Sequence, residues 1–73
     1  MVTLAELNPG DRARIATGVD TGTRLASLGF VPGTEVRVVR RAPAGDPLEL
    51  ELRGTRICLR AAQLAQVVVE RIS

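Results

Sequence analysis

Apolar and charged residues alternate twice in the first half of this chain, each time directly after a Pro-Gly pair. Asn8-Pro9-Gly10-Asp11 leads into Arg12-Ala13-Arg14-Ile15-Ala16, and Val31-Pro32-Gly33-Thr34 leads into Glu35-Val36-Arg37-Val38. Proline presets φ and the glycine after it tolerates the positive φ that a type II turn requires. A period of two puts the apolar side chains of each run on one face, so each segment predicts a strand with one dry side.

The richest stretch is residues 34–60. It gives three short strands, Val36-Arg37-Val38-Val39, Leu48-Glu49-Leu50-Glu51-Leu52 and Ile57-Cys58-Leu59-Arg60, separated by turn residues. Val67-Val68-Val69-Glu70-Arg71-Ile72 is a last strand, expected to close the sheet by pairing with an early one. The run Ala61-Ala62-Gln63-Leu64-Ala65 before it is a single helical turn. The pattern therefore predicts a mainly β fold, a barrel of about five antiparallel strands with one short inserted helix.

That helix is expected over residues 21–28. Asp20 or Thr21 supplies an N-cap oxygen, and Gly29 stands where a left-handed C′ residue belongs. Phe30 then folds back onto Leu25, and Pro32 forbids continuation. Leu25 and Leu28 make a narrow apolar stripe that must press on the sheet or on a partner, because two turns of helix do not survive alone.

For the second hairpin, a two-residue turn at Gly54-Thr55 sets Leu52 opposite Ile57, Leu50 opposite Leu59 and Glu49 opposite Arg60. Cys58 then faces outward opposite Glu51, and Arg53 lies beside Arg56. The loop Arg41-Ala42-Pro43-Ala44-Gly45-Asp46-Pro47 is longer than a plain hairpin needs, and its two prolines stiffen it. It is either a barrel corner or a preformed docking edge, since a rigid loop loses less entropy on binding.

Composition limits what such a fold can do. With 73 residues, one aromatic ring and 45% apolar residues, the chain forms one domain, residues 1–73, with a core of Leu, Val, Ile and Ala around Phe30. So short a barrel has no interior left for a pocket and must act through its outer surface. The ten basic residues are all arginine and interleave with eight acids, for a net charge of +2. Neither a basic groove nor aromatic stacking platforms are available for nucleic acid, so none is expected as a partner.

The chain lacks His, Lys, Tyr and Trp, which removes the usual bases, Schiff-base amines and phenolic acids, and no enzyme activity is expected. A lone Cys58 cannot form an internal disulfide, and one Cys without His cannot make a tetrahedral zinc set. Glu49 and Glu51, two apart on a strand, are the candidates for sharing a divalent cation such as Fe2+, with Asp46 as a third. The plainer reading of the pair is a solvated face balanced by arginine. The first residues lack the basic and apolar segments of a signal peptide, and no stretch reaches the ~20 apolar residues of a membrane helix. A soluble cytoplasmic protein without direct membrane insertion is the expectation.

Four pieces in order carry a family resemblance: Leu-Ala-Glu-Leu-Asn-Pro-Gly ending at Gly10, Arg-Leu-Ala-Ser-Leu-Gly-Phe-Val-Pro-Gly-Thr beginning at Arg24, Ala-Pro-Ala-Gly-Asp-Pro ending at Pro47, and the segment from Gly54 that ends in Leu59-Arg60. In these the chain resembles the FeoA family, small SH3-like proteins linked to bacterial ferrous iron uptake through the FeoB transporter. The resemblance implies a cytoplasmic accessory protein that binds the cytoplasmic G-protein portion of FeoB. By the same likeness the partner-binding residues are Arg24, Leu25, Leu28, Gly29, Pro43, Gly45, Asp46, Pro47 and Arg60. Phe30 departs from the family pattern at a position that is often Leu or another aliphatic residue, and Ala44 at a loop position that is often Leu. The same module ends certain iron-responsive repressors, so a divalent metal-sensing module is the alternative reading.

Overall fold

Both Pro-Gly turns form as the pattern requires. Gly10 and Gly33 sit at φ +93, and the turns close through Asp11 N–H to Asn8 O at 3.0 Å and Thr34 N–H to Val31 O at 3.2 Å. Each turn also ties itself to the strand launched by the other, through Gly10 N–H to Val38 O and Gly33 N–H to Ile15 O, both at 2.8 Å. This reciprocal stitching fixes the central strand pair at both ends.

The computed structural model describes residues 2–17 and 24–72. The elements are β1 (Val2–Thr3), a 3-10 turn (Leu4–Glu6), β2 (Arg12–Thr17), α1 (Arg24–Ser27), β3 (Glu35–Arg41), β4 (Leu48–Leu52), β5 (Thr55–Leu59), α2 (Ala61–Leu64) and β6 (Val68–Arg71). The strands form one antiparallel six-stranded sheet in the order β1-β6-β2-β3-β4-β5. The last strand thus pairs with an early one, as expected, but also with β1, a two-residue strand that the alternation is too short to reveal. β1 and β5 stand at the ends of the order, and α2 packs on the 3-10 turn beside them.

The helix expected over 21–28 is described only from Arg24, so its predicted N-cap at Asp20 or Thr21 lies outside the described residues. Its other end forms as predicted. Phe30 N–H reaches Leu25 O at 3.1 Å and Gly29 N–H reaches Ala26 O at 3.0 Å, the paired bonds of a Schellman ending, with Gly29 at φ +109. Of the predicted stripe only Leu25 is buried with Phe30, whereas Leu28 remains 37% exposed.

The core is aliphatic around one ring. Leu4, Leu7, Phe30, Val38, Leu48, Leu50, Leu64, Val67 and Val69 are fully buried, and no polar or charged side chain among the described residues joins them.

The second hairpin takes a register two residues away from the predicted one. Leu52 pairs with Thr55, Leu50 with Ile57, Leu48 with Leu59, Glu51 with Arg56 and Glu49 with Cys58. The turn is Arg53-Gly54, with φ of +53 and +80, the two positive values of a type I′ turn. A slip of two keeps every side chain on its predicted face, so the apolar side stays dry. The observed register also takes Arg56 out of opposition to Arg53 and sets it among carboxylates, which like-charge repulsion favours.

Candidate functional site

The residues that the sequence nominated for partner binding fall into two clusters at opposite ends of β4, roughly 13 Å apart for four strand steps. The structure does not unite them. The first cluster is the end of α1. Arg24 and Leu28 are exposed and lie one turn apart, Leu25 is buried beneath them, and Gly29 turns the chain against the far end of β4. A Cβ at Gly29 would stand 3.1 Å from Leu52 Cδ2 and 3.3 Å from Arg53 Cδ, so both side chains would have to give way, and the φ of +109 itself favours glycine.

The second cluster is the loop before β4. Asp46 Oδ1 accepts the Ala61 N–H at 2.7 Å, and its Oδ2 lies 3.7 Å from Arg60 Nη1. Arg60, expected on a strand opposite Glu49, is therefore the residue before α2, and its acidic neighbour is Asp46. Gly45 takes φ +90, closes on Ala42 O at 2.7 Å, and offers its own carbonyl to Arg41 Nη1 at 2.9 Å. Pro43 and Pro47 stand exposed and, with Arg40, Ala42, Glu49 and Cys58, line a mainly apolar groove of about 300 Å³.

Arg41 is the structural keystone that alternation hides. Its Nη2 donates to Ala5 O at 3.0 Å and Leu7 O at 2.9 Å, so one guanidinium joins the loop to the segment after β1. It can reach them because the β3–β4 register shifts between Val38 and Arg40, which restores Arg40 opposite Glu49 and Arg41 opposite Leu48. The signal was the broken alternation in Val38-Val39-Arg40-Arg41. Arg53, the second residue that the nomination missed, carries positive φ without being glycine.

Glu49 and Glu51 point to one face, as the spacing predicted, but each is held by arginine. Arg40 Nε donates to Glu49 Oε1 at 2.6 Å, and Arg56 approaches its other oxygen at 3.8 Å. Arg37 binds Glu51 Oε1 through Nη2 at 2.7 Å and Nε at 3.2 Å. This hydrogen bond, with the nearby positive charge, holds the Glu51 carboxyl below the usual carboxylate range. A cation bridging the two acids would have to displace these guanidinium groups. Among the described residues no group of three or more Cys, Asp or Glu side chains is placed to hold a metal ion. Cys58 is exposed on the outward face, opposite Glu49 rather than Glu51.

Residues 2–71 match the family model described as the FeoA domain. The chain is 36% identical over 73 residues to the Fe(2+) transport protein A/Fe(2+) transporter FeoB fusion protein of Porphyromonas gingivalis. That match takes in 96% of this chain but only 9% of the fusion protein's length. Among solved structures, a FeoA-like protein from Clostridium acetobutylicum superposes with TM-score 0.89 at 28% identity, covering 99% of this chain and 87% of that one. A zinc-complexed FeoA from Stenotrophomonas maltophilia, described as a prokaryotic SH3 domain protein, superposes with TM-score 0.81 at 36% identity, covering 96% of this chain and 91% of that one. The mainly β, SH3-like fold expected from the resemblance is thus the fold observed. A manganese-dependent transcriptional repressor shares it with TM-score 0.83 at 17% identity over 97% of this chain and 41% of that one, a likeness of fold alone.

Proposed function

Since the chain belongs to the FeoA domain family, we propose that it is a cytoplasmic, non-enzymatic accessory protein of bacterial ferrous iron uptake that docks onto the G-protein portion of a FeoB-type transporter. The observation that carries this reading is the Porphyromonas gingivalis relative, in which an equivalent of this chain is joined to a FeoB transporter in one polypeptide. Fusion supplies a permanently high effective concentration for two modules that otherwise meet by diffusion. The surface chemistry supports the same reading, because among the described residues six arginines face carboxylates while Leu28 and Ile72 stay exposed as small apolar spots suited to a protein partner. No helix among the described residues is long and apolar enough to cross a membrane. Ferrous iron enters this reading as the transporter's cargo.

Co-purification tests it. Tagged full-length chain mixed with a detergent-solubilised FeoB-type transporter, under reducing conditions with GTP present, retains the transporter on the affinity resin. Recovery no greater than that of an unrelated small β protein would overturn the reading.

A further inference from the structure

Arg53 occupies the first central position of the β4–β5 turn at φ +53, and it is the one residue other than glycine with positive φ among the described residues. A long side chain is disfavoured there, whereas Asn or Gly fits at lower cost. A long side chain held against its backbone preference points to use of the side chain. The Arg53 stem runs along the space left by the missing Gly29 side chain, which places it against the end of α1.

Charge adds a second observation. Arg12, Arg37, Arg40, Arg56, Arg60 and Arg71 each face a carboxylate. Among the described residues Arg24 and Arg53, like Arg14 and Arg41, make no ion pair with a carboxylate, and of these Arg41 spends its donors on backbone carbonyls. Arg24 and Leu28 share one face of α1, linked by the Leu28 N–H to Arg24 O bond at 3.1 Å. Leu28, at 37% exposure, is one of only two large apolar side chains left exposed among the described residues. Arg53 also lines a depression of about 590 Å³ in which Glu35 and Glu51 are already paired with Arg12 and Arg37. Among the described residues the uncompensated charge of this region is therefore positive and flanks an apolar spot.

We propose that Arg24, Leu28 and Arg53 receive an acidic segment of the partner protein, Leu28 taking an apolar side chain and the two guanidinium groups taking the carboxylates beside it. The proposal rests on the docking reading above and selects the cluster at α1 over the loop cluster at the other end of β4. Arg53 acts as a specificity-determining contact, which accounts for a long cationic side chain at a position where Asn would be better for the turn.

The test is an NMR titration of the full, isotopically labelled chain with a synthetic peptide of alternating Glu and Leu, run beside a titration with the isolated cytoplasmic domain of a FeoB-type transporter. The peptide shifts the amides of Arg24, Leu28, Gly29, Arg53 and Gly54. Arg53→Asn, which suits the turn, and Arg24→Gln, which suits the helix, each weaken both interactions roughly fivefold, while Arg40→Gln at the other end of the sheet leaves them unchanged. If the peptide binds here and the transporter domain does not, the transporter reading falls and this inference stands. If the domain binds wild type and both variants equally, this inference falls and the transporter reading stands. Absence of peptide shifts, shifts centred on the groove beside Cys58, or equal shifts with single-stranded DNA of matched charge also overturn it.

Discussion

Asp46 Oδ1 accepts the backbone N–H of Ala61 at 2.7 Å, so a loop residue caps a helix that begins fifteen positions later. Without it the first turn of α2 would leave a donor unsatisfied. Asp46→Ala is expected to lower the unfolding free energy by about 1 kcal/mol, the usual cost of losing an N-cap oxygen, and Asp46→Asn by less, because an amide oxygen still accepts. Urea denaturation monitored by circular dichroism reads both. Equal losses for the two variants would mean that the cap is not what Asp46 contributes.

Arg41 offers the larger effect. Its guanidinium satisfies the carbonyl groups of Ala5, Leu7 and Gly45 through part-buried hydrogen bonds. Arg41→Met keeps the stem and removes every donor, and should cost about 2–3 kcal/mol, since hydrogen bonds from charged groups are worth more than neutral ones. Arg41→Lys recovers only part, because an ammonium cannot match the planar fork. A loss below about 0.5 kcal/mol for Arg41→Met would remove Arg41 from its joining role.

Two carboxylates make stability depend on acid. Glu6 is held below the usual range by the Thr3 backbone N–H at 2.8 Å, and Glu51 by the Arg37 guanidinium. Both have folded values below their unfolded ones, so the unfolded chain binds more protons on acidification and stability falls. Their contribution is complete above the ordinary Glu value of about 4.3 and is lost as pH drops through the depressed folded values. Melting temperatures measured from pH 6 to pH 2 should decline in that window, and less steeply for Glu51→Gln. Identical profiles for Glu51→Gln and wild type would contradict the assignment to Glu51.

Arg53→Asn should raise the melting temperature, with a gain of several tenths of a kcal/mol, because Asn-Gly is the preferred pair for a type I′ turn. The same variant weakens partner binding, so stability and docking move in opposite directions. A melting temperature below that of wild type would show that the Arg53 stem stabilises the fold more than the turn opposes it.

Ferrous or manganous ion at millimolar concentration should leave the melting temperature unmoved, since Glu49 and Glu51 are already neutralised by Arg40 and Arg37. A rise of several degrees under anaerobic conditions would instead favour the metal-sensing reading.

What the sequence disclosed was local. The Pro-Gly turns and the ending at Gly29 depend on a few adjacent residues, and they form as the pattern says. The hairpin register was not legible, because Arg53-Gly54 and Gly54-Thr55 are both plausible two-residue turns that differ by a slip of two and leave the same faces dry. Arg41 escaped notice because the register shift after Val38 swaps which residue of the Arg40-Arg41 pair faces outward. The nominated partner residues came from resemblance, and only the fold could show that they separate to the two ends of β4. Several of them also carry structural duties, Leu25 in the core and Asp46 at the α2 cap.

Calorimetric titration of the full chain into the isolated cytoplasmic domain of a FeoB-type transporter, in reducing buffer with GTP, bears most directly on the claim that this small barrel works by docking. The predicted result is a saturable one-to-one isotherm that is weakened by added salt. Heats indistinguishable from dilution at every protein concentration, with both components folded, would contradict it.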